Sequence, residues 1–247
     1  MAEPATGRPG CLVTRPEPAA TDTATRIAAL GWDPILAPAL TLTPVTLRPA
    51  PPSQAVLVAS AAAIPSLTAL DPPPPVLAVG AATAEAARRA GFPQVTPAEG
   101  DAASLADLAA RTLDPAAGPL LLAVGETYGL DLAAALRDRG FRVVRRTAYA
   151  ARPATALPDP ARDALATRRV KAALFLSPRS ATTCVALLRA AGLESVSEGI
   201  RALALSPRIA AAIATLRWAG LDTAPRPRLD DLLTMLGPAR ADEGGAR

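Results

Sequence analysis

The chain has 247 residues, half of them hydrophobic, a formal net charge of +4 and no histidine. That length and apolar content can fill the cores of two domains. The missing histidine excludes a Ser-His-Asp triad, a Cys-His pair and any His-bearing metal site, and two cysteines cannot build an all-thiolate zinc site. Arginine far outnumbers the single lysine, Lys171, and the positive charges are interspersed with acidic ones. Without an aromatic stacking set, a basic helix or a zinc module, this charge does not mark a nucleic-acid surface.

Met1 to Gly10 lacks a basic start followed by an apolar core, so no signal peptide is expected. From Cys11 the chain reads as a strand, Cys11-Leu12-Val13-Thr14-Arg15-Pro16, then a helix over Glu17 to Leu30 closed by Gly31. A stretch rich in proline and threonine, residues 39–53, suits an extended connector and disfavours helix. The apolar run Val56-Leu57-Val58-Ala59-Ser60 opens a second region. Leu77 to Thr83, Gly91 to Pro97 and Leu105 to Leu108 follow, and then Leu120 to Glu126 with a helix over Leu130 to Arg139. A strand over Arg142 to Thr147 leads to Tyr149 and a second proline-rich crossing.

Beyond it the order of signals returns, in Leu174 to Ser180, Leu203 to Arg208, Gly220 to Pro225 and Leu229 to Leu232. Each unit is a short strand, a polar or glycine turn and a helix, which is the grammar of parallel α/β layers. The C-terminal copy lacks a counterpart of the unit over 120–139, and the N-terminal unit over 11–31 supplies one. The expected organisation is a discontinuous α/β domain, residues 1–38 with 158–247, into which a second α/β domain, residues 54–145, is inserted. Residues 39–53 and 146–157 form the connector. No apolar run is long enough to span a bilayer, and the cytoplasm is the expected compartment. Cys11 and Cys184 read as buried thiols.

In an open parallel sheet the turns at Thr14-Arg15, Ser60-Ala61, Gly80 to Thr83, Gly125 to Thr127, Ser177 to Ser180 and Ser206 to Arg208 share the carboxyl edge. Free backbone N–H groups and helix dipoles make such edges anion sites. Taken singly, the same residues are ordinary N-caps and first-turn residues; repeated in both domains, they suit a ligand, in one cleft if the domains face each other. Neither Gly80-Ala81-Ala82-Thr83 nor Gly125-Glu126-Thr127 completes a phosphate motif, so no nucleotide cofactor is expected. Tyr149, one of two tyrosines, offers a phenol as proton donor, though its position alone favours a ring covering the linker. Tyr128, in a turn before a helix, has weaker grounds. Asp107 with Arg111, and Asp230 and Asp231, read as solvated helix charges.

Several of these segments together resemble uroporphyrinogen-III synthase. They are Leu12-Val13-Thr14-Arg15-Pro16, Ala29-Leu30-Gly31 with Pro38, Val79 to Ala84, Tyr149, Phe175 to Ala181 and Ala204-Leu205-Ser206-Pro207, in that order. The resemblance runs from about Cys11 to Leu236. It implies two similar parallel-sheet α/β domains joined by a two-stranded connector, and a monomeric, cofactor-free, metal-free lyase of haem, sirohaem or corrin synthesis. Its substrate would be hydroxymethylbilane, closed into a ring with loss of water and inversion of the last pyrrole. Neither a nucleic acid nor a membrane is an expected partner. Tyr149 resembles the family's proposed proton donor, and Ser60, Thr83, Ser177 and Ser206 resemble positions lining its cleft. The candidate substrate-binding set is Thr14, Arg15, Ser60, Ala61, Gly80, Thr83, Gly125, Glu126, Ser177, Arg179, Ser180, Ser206 and Arg208. Arg15, Arg179 and Arg208 would carry charge to the substrate's carboxylates. Two departures stand out: Ala61-Ala62-Ala63 follows Ser60 where relatives often place an asparagine, and no basic residue follows Gly125. They keep open a catalytically inert protein of this fold that binds a tetrapyrrole or another small anion.

Overall fold

The computed structural model describes residues 7–239. In chain order its first elements are β1 (Gly10–Val13), α1 (Ala19–Ala29), β2 (Asp33–Leu36) and β3 (Leu40–Pro44). Then come β4 (Ala55–Val58), β5 (Val76–Ala78), α2 (Ala81–Arg89), β6 (Val95–Pro97), α3 (Ala102–Thr112), β7 (Leu120–Gly125), α4 (Leu130–Asp138) and β8 (Val143–Pro153). The last are α5 (Asp159–Ala166), β9 (Val170–Phe175), α6 (Pro178–Ala190), β10 (Arg201–Ala204), α7 (Pro207–Ile213), β11 (Gly220–Thr223) and α8 (Leu229–Leu236). One compact unit comprises the residues up to Thr41 with those from Pro153 onward; the other is Leu42–Arg152.

The short apolar runs become strands because both faces of each sheet are covered. In β4 all four residues are fully buried, as expected of parallel strands flanked by helices. Side chains alternate between the faces. In β7, Leu120, Leu122 and Val124 pack with α3 and α4 residues such as Leu105 and Leu136. Leu121 and Ala123 join Val56, Ile64 and Phe92 on the other face. In the first unit Leu12 and Phe175 lie in one cluster, while Cys11, Val13 and Leu174 lie in another.

The first unit's sheet has the order β11-β10-β9-β1-β2, and the other sheet has the order β3-β8-β7-β4-β5-β6. Within the first, every neighbouring pair is parallel. In the second, β4 to β8 are parallel as well. Exchanging β9, β10, β11, β1 and β2 for β4, β5, β6, β7 and β8 turns the first order into the second without its edge strand β3, so β1 stands in its sheet where β7 stands in the other. Each strand order reverses once, between β1 and β9 and between β4 and β7. In doubly wound sheets ligands bind at this point, outside the carboxyl ends of the strands.

Two local expectations are corrected. The strand expected to end at Thr147 runs on to Pro153, so Tyr149 lies inside β8 rather than after a strand. Asp107 pairs not with Arg111 on its own helix but with Arg139, at 2.6 Å, just beyond the next helix. Among the described residues no helix is long and apolar enough to cross a membrane.

Cys11 and Cys184 are free thiols with almost no exposure. Burial pushes both upward from their ordinary value of 9.0, Cys184 to about 12. A raised thiol favours the protonated native state: the unfolded chain loses its thiol protons above pH 9 while the native chain keeps them. The associated stability is therefore intact below pH 9 and falls as pH rises, by about 1.4 kcal/mol per pH unit for each thiol. In urea unfolding between pH 8.5 and 10.5, Cys184→Ala should show a fall smaller by about 2 kcal/mol over the range. Equal slopes for the two proteins would mean that Cys184 ionises as freely in the fold as outside it.

Candidate functional site

The turns leaving β4 and β7 meet at the reversal point of the second unit's sheet. Ser60 follows β4 in extended conformation, and its Oγ accepts from the Ala62 amide at 3.3 Å, starting the 3-10 turn Ala61–Ser66. β7 ends at Gly125, whose carbonyl accepts from the Tyr128 amide at 3.1 Å. Gly129 then enters α4 with φ +83°, where a Cβ would lie 2.7 Å from Val124 Cγ1. Both the left-handed backbone and the close approach require glycine there.

Tyr149 is delivered to this point by a one-residue bulge. Val124 pairs with Thr147 but Gly125 pairs with Tyr149, leaving Ala148 as the extra residue. Consecutive strand residues normally face opposite ways, yet Ala148 and Tyr149 share one buried cluster. A bulge re-aims a side chain in this manner. The ring comes to rest on Gly125: a Cβ added there would lie 2.8 Å from Tyr149 Cε2, 2.9 Å from its Cζ and 2.9 Å from Tyr128 Cδ2. Both tyrosines of the chain thus converge on one glycine. Tyr128 is 44% exposed, against 8% for Tyr149. With Ala59, Ser60, Val124 and Asp131 they line a cavity of about 220 Å³.

Burial pushes the Tyr149 phenol above its ordinary value, and Tyr128 adds to the rise, while hydrogen bonds with the Ser60 side chain and the Gly125 backbone oppose it. The group is a neutral O–H at physiological pH, and the hydrogen-bond partners that would stabilise its phenolate are already beside it.

Ser60, Gly125 and Tyr149 are therefore brought together, with Ala61 and Glu126 beside them in the same turns. Exposed Glu126 faces Arg152 at 3.6 Å. Gly80 and Thr83 lie one strand over, at the start of α2; Thr83 is nearly buried, and a Cβ on Gly80 would meet Gly100 Cα at 3.3 Å.

In the other unit, Thr14, Arg15, Ser177, Arg179 and Ser180 surround the reversal point between β1 and β9. Several of them are committed to the protein itself. Thr14 is fully buried and its hydroxyl donates to the Leu174 carbonyl at 2.8 Å, tying β1 to β9 and leaving no side-chain donor for a ligand. Arg15 donates to Thr23 Oγ1 at 3.0 Å; burial lowers its pKa, with Asp22 and Glu17 opposing. Ser177 caps α6 by accepting from the Ser180 amide at 3.1 Å, and the two hydroxyls are 2.9 Å apart. Arg179 is half-buried in the first turn of α6. Ser206 precedes α7 without a side-chain cap bond, and Arg208 is exposed in its first turn.

A family model described as uroporphyrinogen-III synthase HemD matches residues 21–234. Among solved structures, a uroporphyrinogen-III synthetase from Helicobacter pylori is similar over 93% of this chain and 98% of its own, with a TM-score of 0.56 and 15% identity. A uroporphyrinogen III synthase from the extremely thermophilic bacterium Thermus thermophilus aligns over 92% of this chain and 96% of its own, with a TM-score of 0.40 and 22% identity. The Helicobacter likeness shows a shared fold. No curated protein matches the chain.

The seat beneath the two rings can be tested directly. Gly125→Ala forces both tyrosines to move, and overpacking of this kind costs about 1–3 kcal/mol. Urea unfolding should show that loss. An unchanged midpoint would mean that the rings do not rest on Gly125.

Proposed function

The chain belongs to the uroporphyrinogen-III synthase family and is a cyclising hydro-lyase of tetrapyrrole biosynthesis; within that activity, we propose that it closes hydroxymethylbilane and that Tyr149 protonates the departing hydroxyl. The observation that carries the assignment is the Tyr149 phenol, held beside Ser60 and Gly125 at the wall of a cavity.

The chemistry makes two demands. Breaking the carbon–oxygen bond leaves both electrons on oxygen, so the hydroxyl needs a proton as it goes. A buried phenol holds that proton until it is required. The Ser60 hydroxyl and the Gly125 backbone then stabilise the phenolate. Because the overall reaction loses only water, a proton released from the substrate during ring closure restores the phenol. The second demand is geometric, since the correct carbon of the terminal pyrrole must reach the electrophilic carbon. Holding a flexible chain in that arrangement can supply much of the acceleration. The acetate and propionate arms of the bilane suit the carboxyl-edge turns, where helix N-termini and arginines favour anions. In this reading Ser60, Ala61, Gly80, Thr83, Gly125 and Glu126 contribute from one sheet. On the other sheet, Arg15, Ser177, Arg179, Ser206 and Arg208 are the candidate anion contacts at the equivalent edge, with Thr14 and Ser180 shaping the backbone there. The enzyme acts as a cytoplasmic monomer, on a water-soluble polyanion.

Enzymatically generated hydroxymethylbilane tests the substrate: the protein should yield the III isomer, whereas an inert binding protein leaves the uninverted ring that closes spontaneously. Tyr149→Phe keeps the ring and removes the donor, and its turnover should fall at least about tenfold. The product that still forms should remain mainly the III isomer, with little change in binding. Turnover equal to wild type would assign Tyr149 to packing.

A further inference from the structure

The turn over 125–128 is held by a cation from the neighbouring strand. Arg145 lies on β8 opposite Leu122 of β7. Its Nε donates to the Tyr128 carbonyl at 2.8 Å. Its Nη2 donates to the Glu126 carbonyl at 2.6 Å and the Gly125 carbonyl at 3.3 Å. Glu126 and Tyr128 are exposed, so burial does little to fix them, and the three carbonyls gathered on one guanidinium reinforce the turn's own Tyr128–Gly125 hydrogen bond. The planar fork of arginine suits the task, since its donors keep fixed directions; a lysine ammonium is a point charge on a flexible stem.

We propose that Arg145 is a positioning residue for the cyclisation, fastening the 125–128 turn so that Gly125 and Tyr128 hold the Tyr149 phenol at the cavity wall. The proposal rests on the role given to Tyr149 above. Arg145 itself does not line the cavity; it acts through the carbonyl of the glycine on which the Tyr149 ring sits. One strand thereby carries both the proton donor and, four residues earlier, the clamp for its seat. A displaced seat costs turnover rather than binding, because misplacing a reacting group by about 1 Å can slow a reaction about a hundredfold.

The test compares Arg145→Gln with Arg145→Lys, each alone and with Tyr128→Phe, which leaves Tyr149 as the one tyrosine. Turnover on the bilane should fall about tenfold or more in Arg145→Gln, with a smaller change in the Michaelis constant, and lysine should restore little of it. Ultraviolet titration in the Tyr128→Phe background supplies a readout that does not depend on the substrate. Displacing the turn alters both the burial that raises the Tyr149 phenol and the Gly125 hydrogen bond that lowers it, so its titration should shift in Arg145→Gln and also in Arg145→Lys, which keeps the local charge, with Asp131, Glu126 and Arg152 unchanged in every protein. A folded Arg145→Gln with unaltered turnover overturns the proposal, as does lost turnover with an unmoved titration. If neither variant folds, Arg145 is a stability residue and the proposal fails. Should the titration move while the unsubstituted protein leaves the bilane uncyclised, the clamp stands and the proposed reaction falls.

Discussion

Nearly all of the chemistry available to this chain is collected by one constraint: parallel strands end on the same edge of their sheet. β4 to β8 run parallel to one another, as do all strands of the other unit's sheet. The turns that leave them cannot be dispersed, and where the strand order reverses, two adjacent turns diverge and leave room between them. Ser60 and Gly125 occupy that position in one sheet, and Thr14 and Ser177 occupy it in the other. A protein without histidine can work in this way, because the scaffold contributes backbone dipoles and hydroxyls rather than a base and a metal.

Within the second unit the constraint is refined by two small irregularities. The bulge at Ala148 turns Tyr149 onto the same face as its neighbour, and the absence of a side chain at Gly125 leaves space for the ring. Either change alone would be insufficient: a regular strand would direct the phenol to the other face, and a larger residue at the end of β7 would collide with it. The same burial that holds the ring raises its phenol above the ordinary value. Packing and acid–base behaviour here have one cause.

The α/β class and the parallel sheets were legible because strands buried on both faces leave continuous apolar runs, as in Leu120 to Val124, and because turn residues punctuate them in a repeated order. The bulge was not legible. One extra residue in Thr147-Ala148-Tyr149 alters neither hydrophobicity nor turn propensity, so Tyr149 read as following a strand that in fact continues. The place of Tyr128 was equally hidden, since its approach to Tyr149 depends on the pairing of β7 with β8 rather than on local sequence. Thr14 and Ser180 show a different limit. A hydroxyl at a strand end or helix start looks the same in sequence whether it faces a ligand or, as here, a neighbouring carbonyl or cap. The arginine cluster over 142–146 likewise gave no sign that one member, Arg145, gathers the carbonyls of a turn elsewhere in the chain.

The central claim is that ligand is held at the reversal point of the sheet in Leu42–Arg152, around Ser60, Gly125 and Tyr149. Amide hydrogen exchange, with and without a saturating porphyrin bearing the product's acetate and propionate arms, tests it most directly. The account predicts slower exchange over Ser60–Ala62 and Glu126–Gly129 when the porphyrin is bound. Protection confined to other turns, or none at all under conditions where the porphyrin binds, would contradict it.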